Sequence, residues 1–350
     1  MLRVAINGYG RIGRVAHRVI LEKYSNEIEV VAINAGSSSD IKGWLNLLKY
    51  DSVYGMLTGH TLELKDDAFV IDQKETKVFS EKDPSLLPWK DLDVDVVIES
   101  TGKFTTEEKL QAHITAGAKK VILSSPSKPA RHASQGDAGG GGNVSTFVIS
   151  VNDKDYQGQN LINNASCTTN CITPVAKIMV SNFGVEKAMM TTIHAYTSDQ
   201  RLQDGGHKDP RRARAAGLNI VPTTTGATVA AGQALPELAG IFEGLSIRVP
   251  VPVGSLSDFT FLLKKDTTKE EINSIFTKEA QKEIYKGILE VTEEPLVSSD
   301  IIGNPHSAIV DLSLTQVVGG NMVKVVAWYD NEYGYANRLV EEVILVGSHQ

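Results

Sequence analysis

A short apolar run from Leu2 to Ile6 leads straight into Gly8-Tyr9-Gly10-Arg11-Ile12-Gly13, after which Ile12, Val15, Ala16, Val19 and Ile20 recur at helical spacing. Alone, a G-x-G-x-x-G string is weak, because glycine-rich turns are common. Between a buried strand and an amphipathic helix it reads as a dinucleotide fingerprint rather than a plain structural turn. The glycines allow a tight turn, close approach of a pyrophosphate and close helix packing, with the phosphates at the helix N-terminus.

The following segments extend that start. Residues 28–33 read as a second strand, ending at Asn34-Ala35-Gly36-Ser37-Ser38-Ser39. An NAD-specific fold should place an acidic residue here for the ribose hydroxyls, and none occurs before Asp40. Residues 41–92 show only short alternating runs, near 61–70 and 77–79. Residues 95–102 form a strand and turn, Thr105 and Glu108 a capping box for a helix closing at Gly117, and residues 120–123 the next strand. This β-α-β repeat means an α/β fold with a doubly wound parallel sheet. Residues 127–145 are low in complexity and read as a mobile surface loop, and residues 145–151 as the last strand of this domain.

Beyond residue 184 the texture changes to longer alternating strands at 185–193, 256–263, 308–314 and 322–329, which suggests an α+β second domain. Residues 268–282 form its clearest helix, opened by a Thr268/Glu271 capping box. Residues 333–346 read as a helix packing back on the first domain. A chain of 350 residues suits two such domains. Its net charge of −7 argues against nucleic-acid or anionic-membrane partners. No apolar run approaches the ~18 residues of a membrane span, and the N-terminus has no signal-peptide layout. Two cysteines make no disulfide framework, so a reducing cytoplasm is the natural reading.

Both cysteines lie in Asn163-Asn164-Ala165-Ser166-Cys167-Thr168-Thr169-Asn170-Cys171, a polar stretch without core periodicity. It enters an apolar helical pattern that stops at Gly184. Cys167 therefore sits at or just before a helix N-terminus, where unpaired N–H groups and the dipole favour a thiolate. Two boundaries are compatible with the sequence, because the helix proper could also start at Pro174 with Thr173 as its cap. Three features match a reactive thiol. His194 ends a strand and can raise the thiolate fraction and shuttle protons. Residues 201–214 gather Arg201, Lys208, Arg211, Arg212 and Arg214 in an acidic protein. Thr223-Thr224-Thr225-Gly226 and Arg248 offer hydroxyls, N–H groups and a guanidinium suited to phosphate.

With these motifs in place, the chain resembles the phosphorylating glyceraldehyde-3-phosphate dehydrogenases over nearly its whole length. The likeness runs through residues 6–14, 165–174, 194–197, 207–216, 222–227, 248–252 and 328–339, and Ala-Ser-Cys-Thr-Thr-Asn-Cys is highly specific to this family and its erythrose-4-phosphate relatives. His194-Ala195-Tyr196-Thr197 and Thr223-Thr224-Thr225-Gly226 favour the triose enzyme of that pair. The resemblance implies a dinucleotide domain over residues 1–165, completed by a C-terminal helix at 332–350, and a catalytic domain with a mostly antiparallel sheet over 166–331. It implies Cys167 as nucleophile, His194 as base and Cys171 as structural. Thr197, Arg212 and Arg248 would hold the substrate phosphate and the incoming inorganic phosphate, with Ser166, Thr168, Thr225 and Gly226 lining the second anion site. For the coenzyme, NAD or NADP, it implies Gly8, Gly10, Arg11, Ile12 and Gly13 at the pyrophosphate and Ala35 at the adenosine ribose. It also puts Lys82 near the adenosine, Ser124 near the nicotinamide ribose and Asn331 on the carboxamide. No metal is expected, and homotetramers are usual.

Three departures stand out. Ala35 replaces the family's acidic residue, Gly205-Gly206 replaces a Leu-Pro pair thought to crowd a 2′-phosphate from a neighbouring subunit, and the loop around 129–142 is longer than the family needs. The first two point to use of NADP beside NAD. A cysteine–histidine hydrolase would share the Cys167/His194 pair but have no reason for a dinucleotide fold, and a catalytically silent relative would be free to lose Cys167, His194 or Arg248.

Overall fold

The computed structural model describes residues 1–128 and 144–349, so most of the loop expected at 127–145 lies outside the described residues. The chain divides into two compact units, Met1–Phe147 with Lys154–Ala165 and Ala336–Gln350, and Val148–Asp153 with Ser166–Tyr335.

The first unit is built from β1 (Leu2–Asn7), α1 (Arg11–Lys23), β2 (Ile28–Asn34), α2 (Ile41–Lys49), β3 (Tyr50–Asp51), β4 (Gly55–Met56), β5 (Leu62–Lys65), β6 (Ala68–Ile71), β7 (Lys74–Phe79), β8 (Val96–Glu99), α3 (Glu107–Thr115), β9 (Lys120–Leu123), β10 (Ser145–Thr146) and β11 (Leu161–Asn163). Its main sheet runs β10-β11-β9-β8-β1-β2-β7-β6-β5. Every neighbouring pair from β10 to β7 is parallel, and β6 and β5 add an antiparallel edge. On either side of β1 the strand order departs in opposite directions, which opens a crevice at the carboxyl ends where doubly wound sheets bind nucleotides. The central strands are buried on both faces, as runs such as Val4–Ile6 and Val96–Ile98 require.

Several local expectations shift. Thr106, not Thr105, is the N-cap of α3, and it makes no side-chain cap hydrogen bond. The strand expected at 145–151 is only β10, because residues 148–151 turn away into the second unit and β11 pairs in the sheet instead. The unparsed stretch 41–92 holds α2 and the β5–β7 meander, whose exposed edge gives β5 little apolar signal. The N-cap of α2 is Asp40, which accepts from Gly43 N–H at 2.8 Å.

The second unit contains α4 (Cys167–Phe183), β12 (Val185–Ala195), β13 (Val221–Thr224), α5 (Ala227–Ala234), β14 (Phe242–Val249), β15 (Ser255–Leu263), α6 (Lys269–Ala280), β16 (Leu289–Thr292), β17 (Ala308–Asp311), β18 (Gln316–Val318) and β19 (Met322–Tyr329); α7 (Tyr333–Gly347) follows. The sheet order is β13-β14-β12-β15-β19-β17-β16, with β18 on β19. Only β12/β14 and β16/β17 are parallel, so the sheet is mixed and mostly antiparallel. The apolar face of α4 (Ile172, Val175, Ala176, Met179) packs on Phe259, Phe261 and Val325 from the sheet in one core. Of the capping box expected for α6 one half is present: Glu271 N–H donates to Thr268 Oγ1 at 3.2 Å, while the Glu271 carboxylate accepts from Thr267 Oγ1 at 2.8 Å. Helix α4 starts at Cys167 and carries Pro174 inside it, so of the two possible boundaries the earlier is realised.

Candidate active site

In the first unit, Asn7, Asn34 and Glu99 stand side by side at the carboxyl ends of β1, β2 and β8. Their buried side chains are joined. Asn34 Nδ2 donates to Asn7 Oδ1 at 2.7 Å, and Asn7 Nδ2 donates to Glu99 Oε2 at 2.5 Å. Trp89 Nε1–H donates to His113 Nδ1 at 3.0 Å, which leaves Nε2–H to donate to Glu99 at 3.1 Å. Thr101 closes the set through its N–H and hydroxyl, both on Glu99. A buried carboxylate is tolerable when its lone pairs are filled in this way. The network locks three strand ends, and with them the turns that follow.

The glycine turn fits a pyrophosphate. Gly8 has φ +97°, and a Cβ there would lie 2.6 Å from Thr101 N; at Gly13 it would lie 2.2 Å from Gly8 O. At Gly10 it would meet nothing within 4 Å. The outer glycines are thus demanded by packing, and the middle one clears space for something that is not protein. Helix α1 begins at Arg11 with no side-chain cap and no acidic residue in its first turn, so its positive N-terminus is not offset by a protein carboxylate. The Arg11 guanidinium faces elsewhere, paired with Asp51 and over the Tyr54 ring. Ser124 follows β9, its N–H on Glu99 O at 2.9 Å.

At the end of β2 the amide of Asn34 is fully engaged, since its Oδ1 also accepts from Glu81 N–H at 2.9 Å and its Nδ2 also donates to Glu81 O at 2.9 Å. Ala35 offers no polar group. The Glu81 carboxylate turns onto the N–H groups of Lys82 and Asp83, at 2.7 and 2.9 Å, and the Lys82 side chain is exposed. Trp44 of α2, invisible as a site residue in the sequence, donates its indole N–H to Ser38 Oγ at 3.0 Å. The Arg14 guanidinium lies 5.8 Å from the Trp44 ring. Ser38 is thereby held with its hydroxyl proton still to give.

The second unit assembles the thiol site. Ser166 is the N-cap of α4 and accepts from Thr169 N–H at 3.0 Å, which makes Cys167 the first helical residue. Its Sγ lies 3.4 Å from His194 Nε2. His194 comes from the end of β12, directly across from Arg248 of β14 in the strand register. The Ala195 carbonyl accepts His194 Nδ1–H at 2.6 Å and Arg248 Nη1–H at 3.1 Å. That fixes the tautomer with the Nε2 lone pair toward the thiol; the 3.1 Å approach of Arg248 Nη1 to Nδ1 is then a contact and not a second hydrogen bond. Burial pushes the Cys167 thiol up, opposed by Arg248 and hydrogen bonds from Thr168. Burial also pushes His194 down to about 3, Arg248 adding to it. Burial thus works against a thiolate at this helix terminus, and Arg248 and His194 are the groups placed to offset it.

The anion-binding candidates cluster around this pair. Thr197 Oγ1 is 3.4 Å from Arg248 Nη1. Arg212 donates from Nε to Thr223 Oγ1 at 2.9 Å, pairs with Asp199 and lies 3.5 Å from Asp209. Gly226 is the N-cap of α5, which has no acidic residue in its first turn, and Thr225 Oγ1 accepts from Ala227 N–H at 3.2 Å. Thr169 Oγ1 reaches Ala227 O at 3.3 Å, so the N-termini of α4 and α5 meet beside Ser166 and Thr168. Asn331 Oδ1 accepts from Gly254 N–H at 3.1 Å and Ser255 Oγ at 2.9 Å; Ser255 Oγ in turn accepts from Ala195 N–H at 3.1 Å. Cys171 is fully buried and lines the core. Among the described residues no group of His, Cys, Asp and Glu is arranged to hold a metal ion.

Sequence reasoning missed Tyr329, whose hydroxyl bridges Thr168 Oγ1 at 2.9 Å and Thr192 Oγ1 at 2.8 Å with its ring 6.0 Å from that of His194. The signal was present, since Thr192 and His194 lie two apart on one strand and so share a face. It also missed Asp199, which pairs with Arg212 and His207 from a loop without periodicity.

Comparison with known proteins agrees with this assembly. The family model for "Glyceraldehyde 3-phosphate dehydrogenase, NAD binding domain" matches residues 2–107, and that for "Glyceraldehyde 3-phosphate dehydrogenase, C-terminal domain" matches residues 166–331. Glyceraldehyde-3-phosphate dehydrogenase 2 of Streptomyces avermitilis is 48% identical over 349 residues, 99% of each chain. The glyceraldehyde-3-phosphate dehydrogenases of Mycobacterium avium and Mycobacterium tuberculosis are each 49% identical over 351 residues, covering 99% of this chain and 98% of their own. With two family models matched in order and such identity end to end, the chain belongs to the glyceraldehyde-3-phosphate dehydrogenase family.

Proposed function

We propose that this chain is a phosphorylating glyceraldehyde-3-phosphate dehydrogenase that works through a thioester on Cys167. The observation that carries the reading is the Cys167–His194 contact with Arg248 and Thr197 beside it. A nicotinamide coenzyme, when bound, supplies the acceptor for the hydride that leaves the aldehyde carbon. His194 Nε2 takes the Cys167 proton, and the thiolate adds to the aldehyde carbon as a thiohemiacetal. The proton returns to the adduct oxygen and is taken up again by His194 as that carbon is oxidised, leaving an acyl thioester on Sγ. Inorganic phosphate then attacks the thioester carbonyl, Cys167 leaves as thiolate and an acyl phosphate is released. Thr197 and Arg248 provide donors for the substrate phosphate, and Ser166, Thr168, Thr225 and Gly226 for the incoming one. Arg212 reaches an anion by exchanging Asp199 for it.

The family fits NAD, and the turn after β2 supports NADP as well. Ala35 cannot repel a 2′-phosphate, Glu81 is turned onto backbone N–H groups, and Ser38 has a proton to donate. A carboxylate ~4 Å from a phosphate would oppose it by about 4 kcal/mol at an effective dielectric near 20, less with screening. We read the enzyme as a homotetramer: the second unit exposes Leu202 (88%), Leu218 (85%) and Ile220 (69%), large side chains in need of cover. Cytoplasmic residence suits its two free thiols. Among the described residues no helix is long and apolar enough to cross a membrane.

The activity is tested by coenzyme reduction with glyceraldehyde 3-phosphate, with and without inorganic phosphate. Turnover should require phosphate and fall by several orders of magnitude in Cys167→Ser, with the fold retained. A variant keeping a tenth of wild-type turnover would remove Cys167 from the chemistry, and faster turnover with erythrose 4-phosphate would reassign the substrate. Light scattering should return four chain masses; a monomer at working concentration would refute the tetramer. For the coenzyme, kcat/KM with NADP should lie within about a hundredfold of that with NAD, a gap of ~2.7 kcal/mol. Ala35→Asp should selectively suppress the NADP value. If it leaves NADP use untouched, the discrimination lies outside this turn.

A further inference from the structure

Protein oxygens hold two nitrogens of the Arg212 guanidinium, and a carboxylate takes the third. Nε donates to Thr223 Oγ1 at 2.9 Å and Nη2 to Thr224 O at 3.3 Å, which sets the group beside the Thr225-Gly226 turn. Nη1 is paired with Asp199. Two aspartates approach this guanidinium, and they are fastened differently. Asp209, 3.5 Å from Nε, is tied down: one carboxylate oxygen accepts from Arg211 N–H at 2.9 Å and the other from Thr223 Oγ1 at 3.1 Å. Among the described residues Asp199 takes no backbone N–H. Its carboxylate meets Arg212 on one oxygen and His207 Nε2, at 3.5 Å, on the other, and its side chain is 50% exposed. An ion pair so open to water is weakly held. His207 is oriented to receive the carboxylate, since Asp209 N–H donates to Nδ1 at 2.9 Å and leaves the ring proton on Nε2. Arg248 lies within electrostatic reach of both Arg212 and Asp199, so the pair belongs to the anion site and not to a remote loop.

We propose that Asp199 is a resident counter-ion of the inorganic-phosphate site, which occupies Arg212 until phosphate displaces it and thereby selects doubly charged oxyanions over singly charged ones. The inference rests on the reading in which Arg212 and the Thr225-Gly226 turn hold that phosphate. A monoanion exchanged for Asp199 leaves the charge facing Arg212 unchanged and meets a carboxylate still close by, so it gains little. A dianion brings a second charge, and its oxygens can take Nη1 together with the hydroxyl and N–H groups of the turn. The displaced carboxylate turns to His207 Nε2–H and to water.

The test is initial-rate kinetics at a pH where phosphate is the dianion, reading KM for phosphate and the inhibition constants of sulfate and nitrate in competition with it. Asp199→Asn keeps the side chain's size and removes its charge. KM for phosphate should fall at least about threefold, and nitrate inhibition should strengthen at least about tenfold, more than that by sulfate, so that the preference for the dianion shrinks. A carboxylate that merely braces Arg212 predicts the opposite sign, and a raised or unchanged KM in Asp199→Asn would overturn the proposal. Asp204→Asn removes an exposed aspartate of the same loop, paired with Arg214, and controls for net charge; an equal tightening there would overturn the proposal as well. If Asp199→Asn does not fold, Asp199→Ser serves for the same comparison with the same outcomes. Arg212→Gln keeps the two readings apart: it should raise KM for phosphate at least about tenfold, and an unchanged value would refute the placing of phosphate on Arg212 itself.

Discussion

The chemistry proposed for the second unit depends on one buried contact, 3.4 Å between Cys167 Sγ and His194 Nε2. Desolvation drives both partners toward neutrality, the thiol up and the imidazole down. Moving the proton from sulfur to nitrogen creates an ion pair in place of two neutral groups. Unit charges ~4 Å apart attract by about 4 kcal/mol at an effective dielectric near 20, the equivalent of roughly three pKa units. It works against the burial penalty that both charges bear, and Arg248 acts on each of them. Arg248 favours the thiolate and disfavours the imidazolium. An anionic substrate group on Arg248 would relieve the second effect, which couples binding of the phosphate to activation of the thiol.

Each partner is delivered by an ordinary structural rule. Ser166 caps α4 and leaves Cys167 as its first residue; β12 and β14 run parallel with His194 and Arg248 in register. In the first unit the equivalent constraint is the buried Asn34–Asn7–Glu99–His113 chain, which fixes three strand ends around the glycine turn. Glu99 is drawn inward and Glu81 onto backbone N–H groups, and the position after Asn34 carries no charge. The coenzyme end of the unit is consequently less hostile to a second phosphate than the usual arrangement with an acid at this point.

Much of this was legible in the sequence because it rests on short-range patterns. The β1–turn–α1 unit, the Thr268 cap of α6 and the polar string opening α4 each declare themselves within a dozen residues. The α/β class followed from the β-α-β order and the α+β second domain from its long alternating strands, while the mostly antiparallel sheet came with the family resemblance. What escaped depends on contacts across the chain. Trp44 matters through Ser38 and Tyr329 through Thr168 and Thr192, and in each case the residue alone looks like core or loop. The β5–β7 meander escaped for a different reason, since an exposed edge strand such as Leu62–Lys65 buries too little to alternate clearly. The state of Cys167 could not be read from the sequence either, because burial, which opposes the helix dipole, is a property of the assembled site.

The most direct measurement is the pH dependence of Cys167 alkylation by iodoacetamide in the wild type and in His194→Asn. If His194 takes the thiol proton, its loss leaves a buried thiol with Arg248 and the Thr168 hydrogen bonds alone to offset desolvation. The alkylation midpoint should then move up by about one pH unit or more. Coincident profiles would contradict the account, because they would mean that the 3.4 Å contact carries no coupling between the two side chains.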